Sequence, residues 1–258
     1  MNGSRPLSPP ALARWLAVDT STDRLSVAVG AAGAAAPLAQ HDGPGGPQAS
    51  VALLPAIRAL LQTVGWTLAS LDGIAFGRGP GSFTGLRTAC AVVQGLAVAA
   101  RPGGIPVLPL DTLLAVAEAA RHDHAPDARA LRVVAALDAR MGEVYAAVYD
   151  WHAERGWTTV APAHLTPPED VSWAADATSP VLLAGNVRPV YGERLPTAWQ
   201  HRGVPAHPSA AALLRLAAAG VAAGQCVPAA AAQPLYVRDK VALTTTEQAA
   251  LRAQRASA

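Results

Sequence analysis

The chain is poor in lysine and in charged residues generally. Charged residues make up 15% of the 258 residues, and Lys240 is the single lysine. No lysine lies in a glycine-rich stretch, which excludes a Walker A phosphate loop. The formal net charge is +2, which is too small to indicate nucleic-acid binding by itself.

Cysteines and long apolar runs are also scarce. The two cysteines, Cys90 and Cys226, lack the spacing of a metal site, and they do not support a disulfide framework, so we expect a reducing cytoplasm. No apolar run free of charges and breakers reaches the length of about 18 residues that a membrane helix needs. The N-terminus lacks the apolar core of a signal peptide.

The composition predicts a folded protein with extensions at both ends. Hydrophobic residues make up 51% of the chain, enough for a sizeable core. Residues 1–13 are rich in Pro, Ser and Gly, and we expect them to be a disordered extension. We expect a first lobe at residues 14–110, a second at residues 111–240 and a flexible tail at residues 241–258.

Apolar patterns predict two β-hairpins of similar design, each followed by a less certain third strand. Asp19 ends the first strand of one hairpin, and Asp138 follows the first strand of the other. This echo suggests a duplicated fold with two related halves. The predicted strands are residues 14–19, 25–30 and 37–41, and residues 132–137, 143–149 and 157–165.

Helical spacing of apolar residues predicts helices at residues 50–64, 113–121 and 209–223. Asp111 and Thr112 are predicted to cap the second of these. His122 and His124 are predicted to lie in a polar loop after it, as solvated side chains without a third metal ligand nearby.

A glycine-rich turn between a predicted strand (residues 71–76) and a predicted helix (residues 84–100) is the main candidate for function. Its residues are Gly79, Pro80, Gly81, Ser82, Thr84 and Gly85. This layout aims backbone N–H groups at an anion or a partner chain. The dinucleotide fingerprint is incomplete, because Thr84 stands at its third glycine position. The alternative is a strained turn that caps a packing helix through Ser82 or Thr84.

The run from Gly77 to Arg87 resembles the signature of the TsaB (YeaZ) family, which supplies a subunit of the bacterial complex that makes threonylcarbamoyladenosine in tRNA. Three more segments match in family order, so that the resemblance spans roughly residues 15–240. They are Leu-Ala-Val-Asp-Thr-Ser at residues 16–21, Leu-Asp-Ala-Arg-Met-Gly-Glu-Val-Tyr at residues 137–145, and Pro-Leu-Tyr-Val-Arg at residues 234–238.

The resemblance implies an α/β, two-lobed, actin-like ATPase (ribonuclease H-like) fold with duplicated mixed sheets flanked by helices. Active members of this fold bind phosphates at hairpin turns and a metal through carboxylates. The matching positions here are Asp19, Thr20, Ser21 and Asp138. The first turn has no glycine, and Asp23 would face a phosphate with like charge, so we expect a degenerate nucleotide site.

The implied function is a non-catalytic scaffold that pairs with and stabilises the catalytic subunit TsaD. The complex transfers a threonylcarbamoyl group to the adenosine next to the anticodon in tRNAs that read codons beginning with A. TsaD binds metal through a His-x-x-x-His pair, and none of the seven histidines here are four apart. We therefore expect ATP and metal on the partners, TsaD and the ATPase TsaE, and none on this chain. We expect contact with tRNA through the complex; a homodimer of the isolated chain stays open.

Two other functions remain as alternatives. A small-molecule kinase or ATPase of the same fold would use the carboxylates of Asp19 and Asp138, although each is equally explained as a strand-end cap. A peptidase would use Ser82 as its nucleophile, but the turn lacks the Gly-x-Ser-x-Gly elbow because Gly81 immediately precedes Ser82.

The resemblance also favours one helix face as the partner interface. Leu86, Cys90, Val93 and Ala97 share one face of the helix after the turn. The opposite face carries Arg87, Ala91, Gln94 and Val98, which we predict to bind the partner together with one edge of the helix at residues 50–64. The alternative is that both faces are buried within the lobe.

Overall fold

A computed structural model describes residues 14–172 and 180–238; the predicted extension and tail lie outside them. The strands are β1 Trp15–Asp19, β2 Arg24–Gly30, β3 Ala39–Pro44, β4 Gly73–Gly79, β5 Val107–Asp111, β6 Ala130–Arg140, β7 Glu143–His152, β8 Gly156–Thr166, β9 Val181–Gly185 and β10 Gly203–Pro205. The helices are α1 Ala49–Thr63, α2 Phe83–Ala99, α3 Thr112–His124, α4 Arg188–Tyr191, α5 Thr197–Arg202 and α6 Ala210–Ala222. Short 3-10 turns join several of them.

The strands form two five-stranded mixed sheets with the same topology. The first sheet has the order β3-β2-β1-β4-β5 and the second has the order β8-β7-β6-β9-β10. In each sheet the first three strands of this order are antiparallel and the last two join in parallel. The repeated pattern confirms the predicted duplicated α/β fold, including both hairpins with their third strands.

The sheets and helices stack in five layers. One face of the first sheet packs against α1 and α2, and the other against α6 and part of α3. The second sheet packs against α3 on one face and against α4 and α5 on the other. Strand β1 is buried along its whole length, as expected for a strand covered by helices on both faces.

The last helix of each half crosses to the other half. Helix α3 follows the first sheet in sequence but packs mainly on the second, whereas α6 follows the second sheet and packs on the first. The two helices also contact each other. The predicted boundary between residues 110 and 111 remains a prediction, but α6, assigned to the second lobe, lies against the first sheet.

Some local predictions need correction. Strand β3 runs from Ala39 to Pro44 rather than from 37 to 41. Helix α3 continues through His122 and His124, which we had predicted in a loop. The Asp111 side chain makes no capping bond to α3, because its carboxylate binds Arg78 instead, with a distance of 2.6 Å from Oδ1 to Nε. In the described part of the chain, no helix combines the length and apolarity that crossing a membrane requires.

Candidate functional site

The glycine-rich turn is bonded to the β1–β2 turn of its own lobe. The Ser82 N–H donates to the Ser21 carbonyl at 2.7 Å, and the Thr20 hydroxyl donates to the Gly85 carbonyl at 2.7 Å. The Ser82 hydroxyl caps α2 by accepting from the Gly85 N–H at 3.4 Å. These contacts match the alternative in which Ser82 caps a packing helix.

Two glycines of the turn are required by this close packing. A Cβ at Gly81 would overlap the Ser21 carbonyl oxygen, and a Cβ at Gly85 would overlap the Thr20 carbonyl oxygen. Any larger residue would push the two turns apart. At these two positions, glycine lets the glycine-rich turn approach the β1–β2 turn.

Asp19 lies beneath the turn, with 1% of its surface exposed. Its Oδ1 accepts from the N–H of Ser21 at 3.0 Å and from the Ser21 hydroxyl at 2.7 Å. Its Oδ2 has no hydrogen-bond partner and lies where a Cβ of Gly77 would be. Burial raises the pKa of Asp19 to about 6, although the bonds from Ser21 oppose the shift. The Asp19 carboxylate is therefore enclosed within its own lobe, against the backbone of Gly77.

Asp138 is held by groups of the second lobe. Its Oδ1 accepts from the Tyr191 hydroxyl at 2.7 Å and from the Arg140 N–H at 2.8 Å, and its Oδ2 pairs with Arg140 Nη1 at 3.1 Å. Its own N–H donates to Asn186 Oδ1 at 2.8 Å. Burial and the bond to Asp138 raise the pKa of Tyr191 well above its ordinary value, so the phenol stays protonated. Both carboxylate oxygens of Asp138 are therefore already engaged.

The two hairpin turns, the first turn of α2 and the C-terminal segment surround a cleft of about 560 Å³ between the lobes. The cleft brings together Ser21, Gly81, Ser82, Thr84 and Asp138, whereas Asp19 and Thr20 lie below its wall. Asp23 and Asp138 are its carboxylates. Within residues 14–172 and 180–238, no group of three or more His, Cys, Asp or Glu side chains could hold a metal ion.

The two faces of α2 differ as predicted in their burial. Leu86, Cys90, Val93 and Ala97 are buried. On the opposite face Arg87 and Ala91 are exposed, and Val98 is 67% exposed. Gln94 is half-buried, and its side-chain amide donates to the Ala232 carbonyl at 2.9 Å. The alternative in which both faces are buried within the lobe is therefore wrong.

Comparison with known proteins decides the family. A curated relative named tRNA threonylcarbamoyladenosine biosynthesis protein TsaB, from Escherichia coli (strain K12), is 32% identical over 238 residues, which cover 89% of this chain and 96% of the relative. The chain belongs to the TsaB (YeaZ) family. The protein of the same name from Haemophilus influenzae is 44% identical over 133 residues, which cover 50% of this chain and 51% of that protein. A family model described as TsaD, tRNA N6-adenosine threonylcarbamoyltransferase, matches residues 46–179.

Solved structures of the TsaB (YeaZ) family agree with this assignment. YeaZ from Pseudomonas aeruginosa is 36% identical with a TM-score of 0.73, covering 87% of this chain and 99% of that one. A second Pseudomonas aeruginosa structure, described as an uncharacterized protein with similarity to peptidase YEAZ, is also 36% identical, with a TM-score of 0.72 and coverage of 88% and 100%. In the present structure the serine suggested for a peptidase, Ser82, uses its hydroxyl to cap α2.

Two residues of the family's C-terminal segment have contacts that the sequence did not reveal. Tyr236 stacks near Phe83 and accepts a hydrogen bond from Arg87, and Arg238 binds the β6–β7 turn. The available signal was a proline followed by four consecutive large side chains, Leu-Tyr-Val-Arg at residues 235–238, which is typical of an extended segment that makes contacts on both sides.

Proposed function

We propose that this chain is a non-catalytic scaffold subunit in the formation of threonylcarbamoyladenosine in tRNA, and that it pairs with the catalytic subunit TsaD and stabilises it. The printed names of the curated relatives supply the pathway. The observation that carries the scaffold role is an exposed apolar surface on α1 and α2. Val51, Leu54 and Val98 on these helices are 77%, 50% and 67% exposed, and exposed apolar patches of this kind are typical of association surfaces.

The cleft supports the non-catalytic part of the proposal. A site for Mg²⁺ and nucleotide needs carboxylate oxygens that face the ligand. Asp19 is enclosed beneath the glycine-rich turn, and Asp138 is bonded to Tyr191 and Arg140. A kinase would have to release Asp138 from these bonds before it could bind a metal. We therefore place ATP and metal on TsaD and TsaE rather than on this chain.

The partner face follows from the same surface. It comprises Arg87, Ala91, Gln94 and Val98 together with the exposed edge of α1. A separate groove of about 340 Å³ is lined by Leu54 of α1, Leu96 of α2 and Trp66. The bond from Gln94 to Ala232 leaves that side chain at the border of the interface. The contact with tRNA is made through the complex, in the cytoplasm, and a homodimer through the same face is the alternative state of the isolated chain.

The test is Ala91→Glu, measured as complex formation with TsaD. A glutamate at the centre of the interface would lose water without gaining a partner, which costs several kcal/mol. A loss of about 3 kcal/mol weakens the dissociation constant roughly 100-fold. Because Ala91 is exposed, we expect the melting temperature of the isolated chain to stay unchanged. Ala219→Glu, at an exposed position of α6, is the matched control and should bind TsaD normally.

The activity measurement uses the same proteins. We expect no threonylcarbamoyl transfer by the isolated chain, transfer to tRNA when TsaD and TsaE are added, and loss of this transfer with Ala91→Glu. Unimpaired complex formation by Ala91→Glu would move the interface elsewhere. Transfer by the isolated chain that Asp19→Ala abolishes would overturn the non-catalytic role.

A further inference from the structure

The C-terminal segment at residues 232–238, here called the strap, runs from α2 to the second hairpin. It contains neither helix nor strand. Leu235, Tyr236, Val237 and Arg238 line the interlobe cleft, together with the hairpin turns that bind ligands in active members of this fold. The strap therefore forms part of the wall of the cleft and borders both lobes.

One end of the strap is bonded to the first lobe. The Ala232 carbonyl accepts from Gln94 at 2.9 Å, and the Leu235 N–H donates to the Arg78 carbonyl at 2.7 Å. The ring of Tyr236 lies 5.1 Å from that of Phe83, and its hydroxyl accepts from Arg87 Nε at 3.1 Å. The contacts to Phe83 and Arg87 hold the strap on the first turns of α2.

The glycine-rich turn is shaped to admit the strap. A Cβ at Gly79 would overlap the Leu235 carbonyl oxygen, and Gly79 has a φ of 127°, a conformation that other residues rarely adopt. The backbone at Gly79 therefore lies directly against the main chain of the strap at Leu235. The contact between strap and turn is between backbones and leaves no room for a side chain at residue 79.

The other end of the strap is bonded to the second lobe. Arg238 Nη2 donates to the carbonyl oxygens of Ala139 at 3.0 Å and Arg140 at 3.4 Å, and Nη1 forms an ion pair with Glu143 at 2.6 Å. These partners surround the β6–β7 turn, where Arg140 and Met141 have φ values of 63° and 56°. Non-glycine residues in this conformation need support from their surroundings, and the Arg238 guanidinium supplies part of it beside the bonds from Arg140 to Asp138.

We propose that the strap is an intramolecular clamp that holds the two lobes together without a ligand and couples the first turns of α2 to the β6–β7 turn. In two-lobed proteins a ligand commonly closes the cleft by contacting both sides. Here the chain supplies both sets of contacts itself, through Tyr236 on the first lobe and Arg238 on the second. Release of either end weakens the order at the other.

The test is hydrogen exchange of the full-length isolated chain with Arg238→Ala. Loss of the ion pair and of two charge-assisted hydrogen bonds should speed exchange in the β6–β7 turn by about tenfold or more. The clamp also requires faster exchange at residues 83–92 of α2, which Arg238 does not contact, while α6 stays unchanged. The matched control is Arg155→Ala, an exposed arginine of the second lobe in the turn between β7 and β8; it should change neither region.

The reciprocal variant is Tyr236→Ala, which cuts the strap at the first lobe and should speed exchange at residues 138–145. Tyr236→Phe keeps the ring against Phe83 and should have a smaller effect. A change confined to the lobe that the substituted side chain contacts, the first lobe for Tyr236 and the second for Arg238, would overturn the clamp. Equal acceleration in α6 would also overturn it, because it would indicate general loss of stability. If Arg238→Ala does not fold, Tyr236→Ala decides the question by the same criteria.

A second consequence rests on the proposed function, because Arg87 belongs to both the strap contact and the partner face. Arg238→Ala should weaken binding to TsaD severalfold, although Arg238 is remote from that face. The exchange experiment uses no partner, so a failure of the partner assignment leaves the clamp standing. Altered exchange with unaltered binding of TsaD would reject this second consequence alone.

Discussion

Replacing Asp19 by asparagine tests whether the buried, ionised carboxylate of Asp19 lowers the stability of the folded protein. Asparagine has nearly the same shape, and its Oδ1 can still accept from the N–H and hydroxyl of Ser21. The substitution removes only the negative charge beneath the glycine-rich turn. The unpaired Oδ2 beside Gly77 becomes an amide nitrogen that also lacks a partner in the structure.

The expected magnitude follows from the pKa of Asp19, which burial raises from 3.8 to about 6. One pKa unit corresponds to about 1.4 kcal/mol, so ionising Asp19 in the folded protein costs about 3 kcal/mol of stability. Well below the unfolded pKa of 3.8 the group is protonated in both folded and unfolded chains, and the cost is absent. It grows as the pH rises from about 4 to 6 and is complete above the folded pKa.

The assay is urea unfolding of the native protein and Asp19→Asn at pH 4 and pH 7.5. Burying the unpaired amide nitrogen of asparagine costs about 1–3 kcal/mol. This cost is the same at both pH values, so it cancels when the stability difference at pH 4 is subtracted from that at pH 7.5. The stability of Asp19→Asn relative to the native protein should therefore improve by about 2.5 kcal/mol between pH 4 and pH 7.5, because a small part of the cost is already present at pH 4. Asp42→Asn on the exposed strand β3 is the control and should shift stability by less than about 0.5 kcal/mol.

The reasoning is refuted if the difference between Asp19→Asn and the native protein is the same at both pH values. In that case Asp19 would titrate near its ordinary pKa, and the fold would not enclose its charge as the structure shows. A relative loss of stability on going to pH 7.5 would indicate a cationic partner for the carboxylate.

Two further predictions concern the contact between the lobes and the cleft. Glu118 on α3 is buried and accepts from Arg121, from Trp157 and from Arg215 on α6; burial opposes its ionisation, but the arginines hold its pKa below the ordinary value. Glu118→Gln leaves two poorly exposed arginines without their carboxylate and should lower the free energy of unfolding by about 3–5 kcal/mol in denaturant titration; a loss below about 1 kcal/mol would contradict this role. Calorimetric titration of the isolated chain with Mg-ATP should show no micromolar binding, because the turn at residues 20–23 has no glycine and the N–H and hydroxyl of Ser21 already donate to Asp19. A micromolar dissociation constant, equivalent to about −8 kcal/mol, would contradict the degenerate site.

The sequence by itself determined the features that depend on neighbours along the chain. Alternating apolar residues identified both hairpins, and helical spacing separated the buried face of α2, with Leu86 and Val93, from the exposed face with Ala91. The glycine-rich turn was also recognisable, because glycine, proline and serine act on the local backbone. These patterns depend only on residues close together in the chain, so they can be interpreted without knowledge of the tertiary structure.

Only the tertiary structure decided which distant parts meet. The exchange of α3 and α6 between the sheets brings Arg215 to Glu118 across 97 positions, and the strap brings Tyr236 to Arg87 across 149 positions. It also decided that Asp19 lies under the turn rather than in the cleft. No periodicity in the sequence predicts these contacts. Each depends on how two surfaces from distant parts of the chain pack together, and on which charged groups that packing removes from water.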